Sequence, residues 1–157
     1  MDRGRLQWRD RRKWYASMRI MGIDLGGKRT GIAISDESEF LASGICTIRA
    51  KSLADLIAQI CDLITKNKVG KLVVGHPINM DGTRGASAKR AAEFAEMLKE
   101  QTGLPVELYD ERCTTMAAHT ILNYTDTRAE KRKAVIDTLS AEMILQDWLD
   151  ANRRKGN

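Results

Sequence analysis

An α/β fold, with a mixed five-stranded sheet and helices on both faces, is predicted by three features of this 157-residue chain. Short apolar runs separated by glycine turns fill the segment up to Arg49. The apolar period then changes from two to about 3.6 after Ser52, and strand-like and helix-like runs alternate toward the C-terminus.

The first strand spans residues 19 to 24, where side-chain alternation puts Ile20, Gly22 and Asp24 on one face and Met21, Ile23 and Leu25 on the other. Gly26, Gly27 and Gly31 punctuate a hairpin into a second strand from Gly31 to Ser35, and a third follows from Phe40 to Arg49. These three strands are antiparallel. Ser52 is the expected N-cap of a helix whose one face carries Leu53, Leu56, Ile57, Ile60 and Ile64. The apolar run from Lys71 to Gly75 reads as a buried parallel strand. After a loop from His76 to Gly85, an alanine-rich helix runs from Ala86 to Gln101 and is closed by Gly103. Pro105 to Tyr109 supplies the fifth strand, and Thr114 or Thr115 caps a helix to about Leu122. Asn123 to Lys133 has no apolar period and is expected to be a mobile loop before a last helix from Ala134 to Ala151. This order suits the ribonuclease H-like architecture, in a single domain over residues 18–152, with residues 153–157 as a tail.

The net charge of +5 invites a nucleic-acid partner, but six basic and two acidic residues place +4 of it in residues 1–17. Local clusters, rather than overall charge, must therefore carry the argument. Residues 1–17 show no periodicity and no secretory pattern, and are expected to be a disordered or non-native extension; Trp8, Trp14 and Tyr15 among arginines leave open an arm that stacks on bases. No apolar run reaches the length that spans a bilayer, so no membrane association is expected. Cys46, Cys61 and Cys113 form no close pair, which fits reduced thiols in a cytoplasmic protein and argues against a cysteine metal site.

Asp24 is the most telling residue. An ionised carboxylate at the end of a buried strand is costly unless a cation or hydrogen-bond donors hold it. Glu111 directly follows the fifth strand, where ligands gather in open α/β sheets. Asp137 shares a helical line with Ala141, Ile144 and Trp148 and so faces inward. Taken singly, each acid has a structural explanation: Asp24 capping the glycine turn, Glu111 pairing with Arg112, Asp137 pairing with Lys133. Three together favour a site for Mg2+ or Mn2+, hard cations that take oxygen ligands and activate water at phosphodiesters.

The chain resembles the YqgF (RuvX) family of pre-16S ribosomal RNA nucleases, which are related to Holliday junction resolvases. The resemblance rests on Met21 to Asp36, Val73 to Gly85, Asp110 to Thr115, and Lys131 to Asp137 continuing to Gln146, in family order and within about Met18 to Asp150. It implies a ribonuclease H-like fold, with Asp24, Glu111 and Asp137 at the acidic positions as catalytic and metal-binding residues. His76 stands where the family more often has an aliphatic residue, and reads as ordinary variation rather than a proton shuttle. Ser140 stands where alanine is expected, and the fourth acid of many junction resolvases is missing; Asp36, Asp81 and Asp110 are the substitutes considered.

Lys28, Arg29, Arg84, Arg112, Arg132 and Lys133 would surround such a site as phosphate-binding residues, Arg84 and Arg112 foremost because they lie in loops beside the acids. The resemblance implies a metal-dependent nuclease acting on structured RNA, as monomer or homodimer, in 5′-end maturation of pre-16S ribosomal RNA. Branched DNA is the alternative substrate, and a non-catalytic RNA-binding scaffold the alternative class. Gly22 to Lys28 also resembles the first phosphate loop of sugar kinases, but those enclose nucleotide between two such domains and this chain has length for one.

Overall fold

A computed structural model describes residues 19–76, 85–110 and 129–155, with the side chains of the last segment described from 138 to 153. Five strands, β1 (Arg19–Leu25), β2 (Thr30–Ser35), β3 (Ala42–Ile48), β4 (Val69–His76) and β5 (Val106–Asp110), form one sheet in the order β3-β2-β1-β4-β5. β1 pairs antiparallel with β2, and β2 with β3; β1 with β4 and β4 with β5 are parallel. The mixed ribonuclease H-like sheet follows the predicted order.

Among the described residues three helices cover it: α1 (Leu53–Asn67), α2 (Ala86–Thr102) and α3 (Ala129–Lys155). At the start of α1 the Asp55 N–H donates to Ser52 Oγ at 3.1 Å, while the Lys51 N–H donates to an Asp55 carboxylate oxygen at 3.0 Å. α2 ends at Gly103, whose φ of 68° lets its N–H return to the Lys99 carbonyl at 2.9 Å. Both caps fall where the sequence places them.

Alternation along β1 sorts two cores. Met21 and Ile23 join Ile32, Ile34, Leu72 and Val74 under α1 and α2, where Ile60, Phe94 and Leu98 are buried. Ile20, Ala33, Ala42 and Val73 pack on the opposite face against Ala141, Ile144, Leu145, Trp148 and Leu149 of α3. Helices thus lie on both faces.

Two expectations are corrected by α3. It begins at Ala129, so residues 129–133 of the expected mobile loop are helical, and it extends to Lys155, so residues 153–155 continue the helix rather than forming a tail. Ala129-Glu-Lys-Arg-Lys133 consists of strong helix formers but lacks an apolar stripe, and periodicity therefore misses it. The helix expected from Thr114 or Thr115 lies outside the described residues. No described helix is long and apolar enough to cross a membrane.

Candidate active site

Asp24 is the penultimate residue of β1, half-buried, and its Cα partner on β2 is Gly31. On the other side β4 pairs Val74 with Ile23, so that Gly75 comes next, level with Asp24. A carboxylate flanked by two residues without side chains has lateral room that a β-branched neighbour would remove. Its face is the one beneath α3, shared with Ile20 and Gly22.

The path of α3 determines what meets Asp24. Gln146 Oε1 accepts the Ala42 N–H at 2.8 Å, a Glu142 carboxylate oxygen accepts the Gly44 N–H at 3.2 Å, and Thr138 Oγ1 and Thr47 Oγ1 lie 3.0 Å apart. As β3 advances, α3 recedes one turn at a time. The helix therefore runs antiparallel to β3, and equally to β1, with which β3 is parallel through the two antiparallel pairings. Gly22 lies under Ala141 and Leu145. Two residues farther along β1 is Asp24; one turn back along α3 is the backbone of Asp137. The side chain of Asp137 lies outside the described residues.

β1, β4 and β5 are mutually parallel, so Asp24, one residue before the end of β1, lies at the same end of the sheet as His76 and Asp110, the last residues of β4 and β5. Glu111, next in the chain after Asp110, lies outside the described residues, as do Arg84 and Arg112. Two strand spacings, about 10 Å, separate the ends of β1 and β5. Lys28 and Arg29 occupy the β1–β2 turn, Lys28 exposed and Arg29 half-buried. Arg132 and Lys133 are in the early turns of α3 by backbone, their side chains undescribed.

Among the described residues no group of three His, Cys, Asp or Glu side chains converges, which leaves Asp24 as the described member of the acidic set. Its chemistry fits a hard divalent cation, since carboxylate oxygens are the donors such ions take and the flanking glycines leave space for bound waters.

Asp36 is overturned as a substitute ligand. β2 runs antiparallel to β1, which carries Asp36 to the sheet end opposite Asp24. Its carboxylate is also committed, accepting from Ser38 Oγ at 2.7 Å and from the N–H groups of Phe40 at 2.7 Å and Leu41 at 3.1 Å. Asp110 is at the correct end, and Asp81 lies outside the described residues. His76 is 5% exposed and pairs in register with Asp110. Alternation along β4 puts it on the face of Leu72 and Val74, across the sheet from Asp24, so the two side chains do not face one another.

Two cations escaped the sequence reading. Lys51 precedes the α1 cap, and Arg90 of α2 donates to the carbonyl of Gly26, tying the β1–β2 turn to that helix. Helical spacing placed Arg90 on an exposed face, and only the packing of α2 beside the turn brings it there.

The family described as "RuvX: Holliday junction resolvase" matches residues 18–151. A relative from Myxococcus xanthus named "Putative pre-16S rRNA nuclease" is 43% identical over 136 residues, covering 87% of this chain and 90% of its own. A namesake from Desulfitobacterium hafniense is 45% identical over 140 residues, covering 88% and 96%. Among solved structures, Thermus thermophilus RuvC in complex with a Holliday junction substrate aligns with a TM-score of 0.54 at 12% identity, over 87% of this chain and 96% of that one. A fowlpox virus resolvase bound to junction DNA aligns at 0.50 and 11%, over 86% and 99%. At such identities these two structures speak for the fold alone, the ribonuclease H-like fold of RuvC.

Proposed function

The chain belongs to the RuvX (YqgF) family, and from that membership we propose that it is a metal-dependent nuclease that cuts structured RNA in 5′-end maturation of pre-16S ribosomal RNA. The observation that carries the reading is the meeting of two elements. The end of β1 presents Asp24 between Gly31 and Gly75, and α3 runs back over that strand so that residue 137 stands one turn before Ala141, above Gly22.

In this mechanism Asp24, Glu111 and Asp137 would hold Mg2+ or Mn2+, and Asp24 is the ligand the sheet itself positions. When bound, the cation supplies Lewis acidity that activates water and stabilises the leaving oxygen. The rest falls to the protein. Arg84 and Arg112 clamp phosphate oxygens through their guanidinium forks, and Lys28, Arg29, Arg132 and Lys133 add positive potential that holds the strand in register. Cleavage leaves a 5′-phosphate and a 3′-hydroxyl.

Junction DNA is the second reading, favoured by the description of the matching family. Purified protein given a structured precursor RNA and, separately, a four-way DNA junction, each with and without manganese, distinguishes the two. The proposal expects manganese-dependent cleavage of the RNA that collapses in Asp24→Asn and Asp137→Asn with the fold retained. Junction cleavage without RNA cleavage would move the assignment to DNA. Equal cleavage by wild type and both variants would overturn the assigned site.

A further inference from the structure

A cavity of about 340 Å3 opens beside the β1–β2 turn on the face of the sheet opposite α3. Its floor is apolar, formed by Leu25, Ile48, Leu56 and Phe94, and its mouth is flanked by Leu53 and Met97, which are 44% and 37% exposed. Three cations line it, Lys28 from the turn, Lys51 before α1 and Arg90 from α2, and Glu93 is its one acid among the described residues.

We infer that this cavity takes one unstacked nucleotide of the RNA substrate, its base and ribose against Leu53, Leu56 and Met97 and its phosphate on Lys28, Lys51 and Arg90. The inference rests on the nuclease reading above and names a subsite for that substrate. Size, charge and place support it. Ligand cavities begin at about 300 Å3, which suits one nucleoside rather than a duplex. An apolar slot rimmed by cations matches a ligand that is flat and apolar at one end and anionic at the other, and sequence-specific RNA recognition targets unstacked bases that can be splayed out of the strand. Arg90 spends part of its guanidinium on the Gly26 carbonyl, and the remaining N–H donors are available to phosphate.

The cavity also begins at Leu25, the residue after Asp24, with its side chain on the other face of β1. A strand laid across the end of β1 can therefore place one phosphate beside Asp24 and turn a neighbouring base over the sheet edge into the slot. The base would act as an anchor that sets which phosphodiester reaches the acids.

The test uses the full chain in two arms, uridine 5′-monophosphate and a short single-stranded RNA, each followed through the methyl resonances of Met97 and Leu53 and by fluorescence anisotropy for the RNA. Both ligands should shift those resonances. Met97→Trp, which fills the mouth, and Lys51→Ala, at an exposed position, should each weaken RNA binding several-fold with an unchanged circular dichroism spectrum. Lys51→Ala should also reduce the salt slope of RNA binding by about 0.7, the share of one phosphate contact on a single strand. RNA binding that leaves Met97 and Leu53 unmoved, or that neither variant weakens, would overturn the subsite. Binding of the mononucleotide alone would overturn its assignment to RNA. Absence of metal-dependent cleavage with the resonance shifts intact would sink the nuclease reading and not the subsite, so the two failures are distinguishable.

Discussion

Gly22 lies so close beneath α3 that a Cβ at that position would stand 2.7 Å from the Cβ of Leu145 and 3.0 Å from the carbonyl oxygen of Ala141. Neither neighbour is the end of a flexible side chain, so relief requires the helix to move. Gly22→Ala should destabilise the protein by about 1–3 kcal/mol, the usual cost of overpacking, read as a lower urea midpoint. Because α3 carries residue 137 toward Asp24, the same variant should lose more RNA cleavage than its folded fraction accounts for. An unchanged midpoint would mean that α3 is free to lift.

Metal binding at Asp24 has a thermodynamic signature. With manganese at about a hundredfold above Kd, wild-type protein should gain about 2.7 kcal/mol, seen as a higher melting temperature. Asp24→Asn should lose most of that gain. A melting shift of equal size in the variant would place the cation elsewhere.

Asp36 holds the β2–β3 connection. The Ser38 hydroxyl, then the Phe40 and Leu41 N–H groups, stabilise its charged form and hold its carboxyl below the ordinary value of 3.8. A lowered carboxyl contributes to stability above its unfolded pKa and loses that contribution as pH falls through the folded value. The amide resonances of Phe40 and Leu41 should therefore stay constant on acidification from neutral pH and move together only below the carboxyl's ordinary value of 3.8. In Asp36→Ala the displaced positions should be present at neutral pH. Titration of these amides at a higher pH would break the link to Asp36.

Residues 1–17 hold most of the net charge, whereas β1 starts at Arg19 and the family match starts at residue 18. A variant starting at Met18 should keep its melting temperature and bind RNA with a shallower salt dependence. A large loss of stability would show that the segment packs against the domain.

Much of the fold was legible because local chemistry and global structure agree. Ser52 and Gly103 cap the helices that the apolar spacing draws, and the alternation along β1 sorts Met21 and Ile23 from Ile20, Gly22 and Asp24 onto the faces they occupy. The inward line of Ala141, Ile144 and Trp148 was legible for the same reason. The early turns of α3 were not, since a helix without an apolar stripe has no period to read.

Sequence by itself determined the strands, the caps and the carboxylate near the end of β1, because these depend on backbone preference and on side-chain alternation within a few residues. Tertiary structure decided how the elements meet. The register shift between Ile32 and Ala33 leaves Ile45 as an extra residue in β3, so that Gly44 and Thr47, three apart, both face α3 and reach Glu142 and Thr138. Packing of α2 beside the β1–β2 turn brings Arg90 to the turn after Asp24, and the cavity lies between Lys28, Lys51 and Met97. Such contacts join residues tens of positions apart, and their energy comes from packing that no local window of sequence contains.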